Sequence, residues 1–369
     1  IAKYHTTEMA RETIRDAMDV HGGKGVILGP RNYLGRGWQG VPVSITVEGA
    51  NILTRNLMIF GLGAIRCHPF VLKEMQSAWL EHPTERLERF DDLLFSHVGY
   101  SVRNAARSLM LGLSFGKFAL VPHDRKTAKY YKKLSRYSAA LAFISDISML
   151  TLGGKMKQKE HLSARLGDVL SHLYICSAML KRYESEGRPA ADQAILAWAF
   201  HSYIYKTQIA LQKVVDNFPN RYMRSLLRLV VFPFGRREKA PGDRLTHRVS
   251  QLMITPSDTR NRLTQGVFLS ADSGHPVCTM EEALPQVIHA EPLERKLLKS
   301  LRHGEIEGIT WEEQLQDAIS KSDVSNEESE ILTHVRSLVM EIIAVDEFDV
   351  EDLRLGRRAD PKIDTPHAA

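Results

Sequence analysis

The sequence predicts an all-α fold. Long stretches rich in Ala, Leu, Lys, Arg and Glu place apolar residues every three or four positions, and Pro and Gly punctuate the joints between them. Nowhere is there a strand–turn–strand alternation long enough to build a sheet. The 369 residues allow two domains or one large one, and 43% hydrophobic residues are enough for a real core. Three cysteines, Cys67, Cys176 and Cys278, give neither a disulfide framework nor a CxxC metal knuckle, so a reducing, cytoplasmic setting fits best. No apolar run reaches the roughly 18 residues of a membrane-crossing helix, and the first residues lack the pattern of a secretory signal. Ile1 already lies inside a helical pattern, and the chain is expected to be a fragment with residues missing upstream.

The first helix spans about 3–20 and should stop at Gly22-Gly23, where glycine supplies a left-handed exit. From Gly22 to Gly49 the glycine content is too high for a regular element, so a loop is expected that approaches a ligand or another backbone closely. A second helix over 50–62 carries Leu53, Leu57 and Phe60 on one face. Four long helices then follow over 86–119, 126–152, 155–186 and 190–217, punctuated at Pro122, Gly153-Gly154 and Gly187-Arg188-Pro189. The clearest stripe is Leu162, Leu166, Val169, Leu173, Cys176 and Leu180, and short joints make the four an antiparallel bundle. Weaker helices are predicted near 279–302, 310–321 and 326–344.

Charge is unevenly spread along the chain, whose formal net charge is +5. Residues 221–248 hold 8 Lys or Arg against 2 acids, whereas 301–350 hold 13 acids against 3 bases. Two readings remain open: the two stretches neutralise one another, or the basic one meets an anionic partner. Arg221, Arg224 and Arg228 interleave with Leu226, Leu227, Leu229 and Val230-Val231-Phe232-Pro233-Phe234, which suits either a membrane surface or a bundle interior. No aromatic interleaving or motif accompanies the arginines, so nucleic acid is the poorest partner.

Gly112-Leu113-Ser114-Phe115-Gly116 matches the GxSxG pattern, with Asp216 and His247 in the order a serine hydrolase needs. That motif requires a strand-to-helix elbow, and Ser114 falls in a helical pattern running from 107 to 120; close helix packing explains the small residues better. Gly61-Leu62-Gly63 lacks the third glycine and the βαβ setting of a dinucleotide fingerprint and reads as a helix C-terminus. The 15 histidines show no paired ligand spacing, and no metal is assigned. Glu48, in Val47-Glu48-Gly49-Ala50-Asn51, has two readings of equal weight. A carboxylate at a helix start caps the exposed amides. A carboxylate with glycine directly behind it and apolar neighbours around it suits proton abstraction from carbon.

The succession of a helix, Asp19-Val20-His21-Gly22-Gly23-Lys24-Gly25, a Gly, Pro and Arg loop, and Ile45-Thr46-Val47-Glu48-Gly49-Ala50-Asn51-Ile52-Leu53-Thr54-Arg55 resembles the end of the acyl-CoA dehydrogenase fold. That family carries a Q-x-x-G-G-x-G turn and then an I-Y-E-G-T-x-x-I-x-R segment. The rest, including Lys159-Glu160-His161-Leu162-Ser163-Ala164-Arg165-Leu166-Gly167-Asp168-Val169-Leu170-Ser171, resembles the helical extension of the large bacterial enzymes of fatty-acid β-oxidation, the FadE type. The resemblance covers almost the whole chain. It implies that residues 1–72 are part of the catalytic C-terminal helical domain and 73–369 the helical extension.

It also implies that Glu48 is the base that removes the α-proton of an acyl-CoA thioester, with FAD as cofactor. Asp19, His21, Gly22, Gly23, Ala50 and Asn51 would contact FAD, and Gly49 would lie beside substrate. An electron-transfer flavoprotein as acceptor, a homo-oligomer and a peripheral contact with the inner membrane face come with the same resemblance. Departures fall at Asp19 in place of Gln, Lys24 and Val47 in place of Tyr, and Ala50 in place of Thr; Lys24 could instead meet a phosphate. The domains that hold most of the flavin and acyl chain are absent, so the chain alone should not catalyse. The rival readings are a non-catalytic helical scaffold or membrane-docking module and, more remotely, a serine hydrolase using Ser114.

Overall fold

In the computed structural model, which describes residues 1–122, 126–269 and 275–349, every regular element among the described residues is helical. In chain order these are α1 (Ala2–His21), α2 (Gly23–Val26), α3 (Gly35–Thr46), α4 (Asn51–Leu53), α5 (Gly63–Cys67), α6 (Val71–Ser77), α7 (Pro83–Leu113) and α8 (Ala128–Leu152). They continue as α9 (Glu160–Ser185), α10 (Gln193–Asp216), α11 (Arg221–Val231), α12 (Asp243–Ile254), α13 (Asp258–Thr264), α14 (Pro276–Arg302), α15 (Trp311–Ser320) and α16 (Asn326–Ile343). The all-α prediction holds, and the four long helices stand where the apolar stripes put them.

Two compact units share the chain, one formed by residues 1–7 and 43–265, the other by residues 8–42 and the chain from 266 onward. In the first, α7 to α10 build the bundle. The predicted stripe of α9 is buried throughout, and Phe200, Ile204, Leu211 and Val214 of α10 close the core against it. α8 is long and apolar enough to cross a membrane by length and composition, but it turns Tyr137, Phe143 and Ile144 into this core. Burial pushes the Cys176 thiol up to about 12, which makes it a packing residue rather than a reactive one.

Several expectations are corrected. α7 starts at Pro83, where a missing N–H costs nothing, and ends at Leu113, because Phe115 and Gly116 take positive φ of 55° and 79°. Ser114 therefore sits at a helix end and not inside a continuous helix. The helix expected over 50–62 runs on to Cys67 through a π-helical segment, Thr54–Leu62, so Gly61 and Gly63 are interior residues of a helical run. α6 and α11 to α13 were not legible as helices. In α11, Leu227, Val230 and Val231, followed by Phe232, are buried in the bundle, while Tyr222, Leu226 and Leu229 stay exposed.

The second unit holds the glycine-rich stretch up to Pro42 and the tail. A core of Leu297, Ile306, Leu315, Ala318, Val324 and Leu332 joins α14, α15 and α16. Capping boxes, Thr310 with Glu313 and Ser325 with Glu328, start the last two helices. The stretch 22–49 is not one loop, since α2 and α3 lie within it. Some of its glycines serve packing: a Cβ on Gly25 would stand 2.8 Å from the Met18 carbonyl oxygen, and one on Gly29 would collide with the Asp346 carboxyl. Asn32 knits the stretch, donating to the carbonyls of Gly25 and Ile27 (both 3.0 Å) and accepting from the amides of Leu34 and Gly35. Asp346 accepts the Arg31 amide at 3.0 Å, so this part of the acidic tail closes on the glycine stretch within its own unit.

Candidate functional site

α3 ends at Thr46, and the chain turns through Val47, Glu48 and Gly49 before α4 begins. Glu48 has φ of 56° and Gly49 of 90°. For a glutamate this is the left-handed region, which costs about 1 kcal/mol, and glycine behind it lets the turn complete. The helix N-cap is Ala50, with no side-chain cap, so Glu48 does not serve as the cap. Its carboxylate is exposed and has no hydrogen-bond partner among the described residues. The apolar enclosure expected around Glu48 is not supplied by its neighbours here.

The turn is tied from both sides. Lys3 Nζ donates to the Gly49 carbonyl at 3.0 Å and to Asn51 Oδ1 at 2.8 Å, and Asn51 Nδ2 donates to Thr7 Oγ1 at 2.9 Å. Asn51 is buried, and its amide thus holds the turn against the first turns of α1. On the far side, Arg55 in the π-helical segment grips Asp168 of α9 with two parallel bonds, Nε to Oδ1 at 2.8 Å and Nη2 to Oδ2 at 2.6 Å. These bonds hold the guanidinium pKa above its ordinary value. Gly167 sits beside the pair, where a Cβ would lie 3.2 Å from the Arg55 carbonyl oxygen. The two segments of sequence that carried the resemblance, one ending at Arg55 and one containing Gly167-Asp168, meet at this contact.

Asp19, His21, Gly22 and Gly23 belong to the other unit. Gly22 takes φ 56° and ψ −127°, open to glycine, and nothing lies within 4 Å of where its Cβ would be. Asp19 is exposed. His21 is engaged inside the unit: Nδ1 lies 2.7 Å from the Ala17 carbonyl, which can only accept, so Nδ1 carries the proton and Nε2 accepts from the Tyr33 hydroxyl at 2.7 Å. Gly23 packs toward Val345. Lys24 does not await a phosphate; it is buried and donates to the Ile342 carbonyl at 2.6 Å, placing its charge at the C-terminal end of α16.

The GxSxG motif gains no chemistry. No strand precedes Ser114, and Asp216 is taken by Arg228 at 2.9 Å and Gln212 at 2.6 Å, while His247 lies exposed on α12. Gly112 lies close to Pro233, as close helix packing predicts. One cluster was missed entirely. His68, His97 and Asp146 bring one ligand atom each within 4.8 Å of one another, a grouping that could hold a metal ion. Their hydrogen bonds close the cluster on itself. His68 Nδ1 accepts the amides of Phe70 and Val71, which leaves the proton on Nε2 to be donated to Asp146 Oδ1 at 2.9 Å. Ser101 donates to the other oxygen at 2.7 Å, and His97 Nδ1 lies 2.8 Å from Glu74. A metal would have to displace the His68 proton. Separations of 29 and 49 residues along the chain hid the cluster from any spacing rule.

Residues 65–348 match the family model described as acyl-CoA dehydrogenase, C-terminal, bacterial type, and residues 1–62 match that described as acyl-CoA dehydrogenase, C-terminal domain. No solved structure matches the chain.

Next to Arg55, burial lowers the pKa of His172 to about 3, with His5, Lys206 and Arg55 adding repulsion. The unfolded chain takes up a proton at this ring below about pH 6.5, and the folded chain does not until far lower pH. The stabilisation from a neutral ring is therefore complete above that pH and lost as pH falls. His172→Phe should flatten the decline of the melting midpoint between about pH 6.5 and pH 4. A variant with the wild-type slope would show that His172 is not the group responsible.

Proposed function

The chain belongs to the acyl-CoA dehydrogenase family, of which it carries the C-terminal portion, and we propose that it serves FAD-dependent α,β-dehydrogenation of fatty acyl-CoA thioesters to trans-2-enoyl-CoA, with Glu48 as the base. The observation that carries this is the Glu48 turn itself. A glutamate held at positive φ, exposed, and bonded to nothing described contributes strain and no contact in return. Such an outlier points to a role outside folding.

The chemistry needs a carboxylate that takes the proton α to the thioester carbonyl. Glu48 would accept it on a side-chain oxygen and become the neutral acid. An acyl chain laid against the turn removes water from the carboxylate and strengthens it as a base. Gly49, with no side chain, leaves room for the thioester. FAD, when bound, supplies the oxidant that takes the β-hydrogen with its electron pair. Of the residues that would contact the flavin, Gly22, whose backbone stands open, and Asp19, whose side chain is exposed, are free to meet it. His21 and Gly23 would act behind them, because their polar groups or faces are already engaged, and Asn51 would act behind the Glu48 turn that its amide holds. Ala50 would sit beside the flavin through its backbone.

We assign residues 1–72 to the catalytic helical domain and 73–369 to its bacterial extension. The acyl-CoA substrate, an electron-transfer flavoprotein as acceptor and a homo-oligomer rest on family membership alone, and a cytoplasmic setting on the cysteine usage. A second reading, peripheral membrane contact, is favoured by the exposed stripe Tyr222, Leu226 and Leu229 at helical spacing on α11, flanked by Arg221 and Arg228.

In the flavin-loaded holoenzyme that contains this chain, Glu48→Gln should slow acyl-CoA-dependent flavin bleaching by about 100-fold or more. Glu48→Gly should abolish bleaching yet raise stability by about 1 kcal/mol, because glycine relieves the strain. Normal turnover in the Gln variant would refute the assignment. For the second reading, the chain should float with phosphatidylglycerol vesicles and Leu229→Asp should sink; flotation unchanged by that substitution excludes the α11 stripe as the contact.

A further inference from the structure

A cleft of about 580 Å³ opens in the first unit between the π-helical segment, α9 and α10. That volume lies within the range of small-molecule sites. Its charged lining comes from two facing stripes at helical spacing: His161, Arg165 and Asp168 on α9, and Lys206 and Lys213 on α10, with Arg55 at one edge. Apart from Arg55 and Asp168, which brace the Glu48 turn, none of these side chains is needed for the chemistry at Glu48.

The sign of the cleft follows from its ion pairs. Asp168 is its one acid, and both oxygens are held by Arg55. Neighbouring acids are occupied: Glu160 accepts from Asn56 at 3.2 Å, and Asp216 pairs with Arg228. Among the described residues, Arg165, Lys206 and Lys213 have no carboxylate partner. Arg165 reaches only the Lys213 carbonyl, at 3.5 Å, and Lys206 rests over the Tyr203 ring at 5.0 Å. Three cations on one concavity repel one another, a cost that an anion placed among them removes. Ile209 and Ala210 give the cleft an apolar wall, and the volume exceeds what inorganic phosphate would fill.

We propose that this cleft binds a phosphate ester through Arg165, Lys206 and Lys213, with the organic part of the ligand against the α10 wall. The inference goes beyond the dehydrogenase reading and does not depend on it. Phosphate esters reach such a site from two sources, a soluble nucleotide or an anionic lipid headgroup, and the chemistry of recognition is the same.

The test uses the 369-residue chain and a Lys206→Gln/Lys213→Gln double variant, both positions being exposed so that the fold is spared. Titration calorimetry with pyrophosphate and with ADP at low salt, together with flotation on phosphatidylglycerol vesicles, reads the two sources. We expect saturable binding of at least one probe, weakened roughly 10-fold or more by the double variant and by added salt, and unchanged by Lys181→Gln, an exposed lysine outside the cleft. Binding of ADP that releases vesicles identifies a soluble ligand; vesicle binding that ADP does not compete, that the double variant loses and that Leu229→Asp retains, identifies a headgroup. No saturable binding of any probe, or equal affinity in the double variant with an unchanged melting midpoint, would overturn the proposal.

Discussion

The bidentate pair between Arg55 and Asp168 is the contact on which the rest of the proposed site depends. Its two bonds, at 2.8 and 2.6 Å, fix the helical run that begins directly behind Glu48 against the central helix of the bundle. The pair closes only because Gly167 lets the π-helical segment approach α9 at backbone distance, and Ile59 and Phe60 are buried behind it. Lys3, bonded to the Gly49 carbonyl, holds the other side of the turn. A strained turn persists when its surroundings over-determine it, and here one ion pair, one ammonium and one buried amide do so. In this view the bacterial-type extension supports the placement of the glutamate.

How much of this was legible in the sequence depends on the range of the interactions. The α9 stripe, the four long helices and the Glu48 turn are local patterns, and each could be read from its own residues. The glycine-rich stretch could not, because its glycines answer to distant partners: Gly25 faces Met18, and Gly29 faces Asp346. Counting them as loop residues overlooked α3, which forms despite three glycines and Pro42. The π-helical segment leaves no periodic signature of its own, since a single added residue per turn shifts the apolar pattern only slightly. Arg55 and Asp168 lie 113 positions apart, so neither segment alone could disclose the other as its partner.

The charge asymmetry is answered within each unit only in part. In the first unit Arg228 of the basic stretch pairs with Asp216, and Glu238, an acid within that stretch, pairs with Lys133. In the second, Asp317 pairs with Lys321, and Asp346 accepts the Arg31 amide. A second group of cations without a carboxylate partner among the described residues, Arg165, Lys206 and Lys213, lies between α9 and α10, where the linear charge count shows nothing unusual.

The Arg55–Asp168 pair holds Glu48, the proposed base, in place. A double-mutant cycle on the flavin-loaded holoenzyme, with Arg55→Gln, Asp168→Asn and the two combined, tests it through acyl-CoA-dependent flavin reduction. The account predicts that each single change slows reduction and that the double change is little worse than either, a coupling of about 1–2 kcal/mol. Additive effects, or full rates in the single variants, would contradict it.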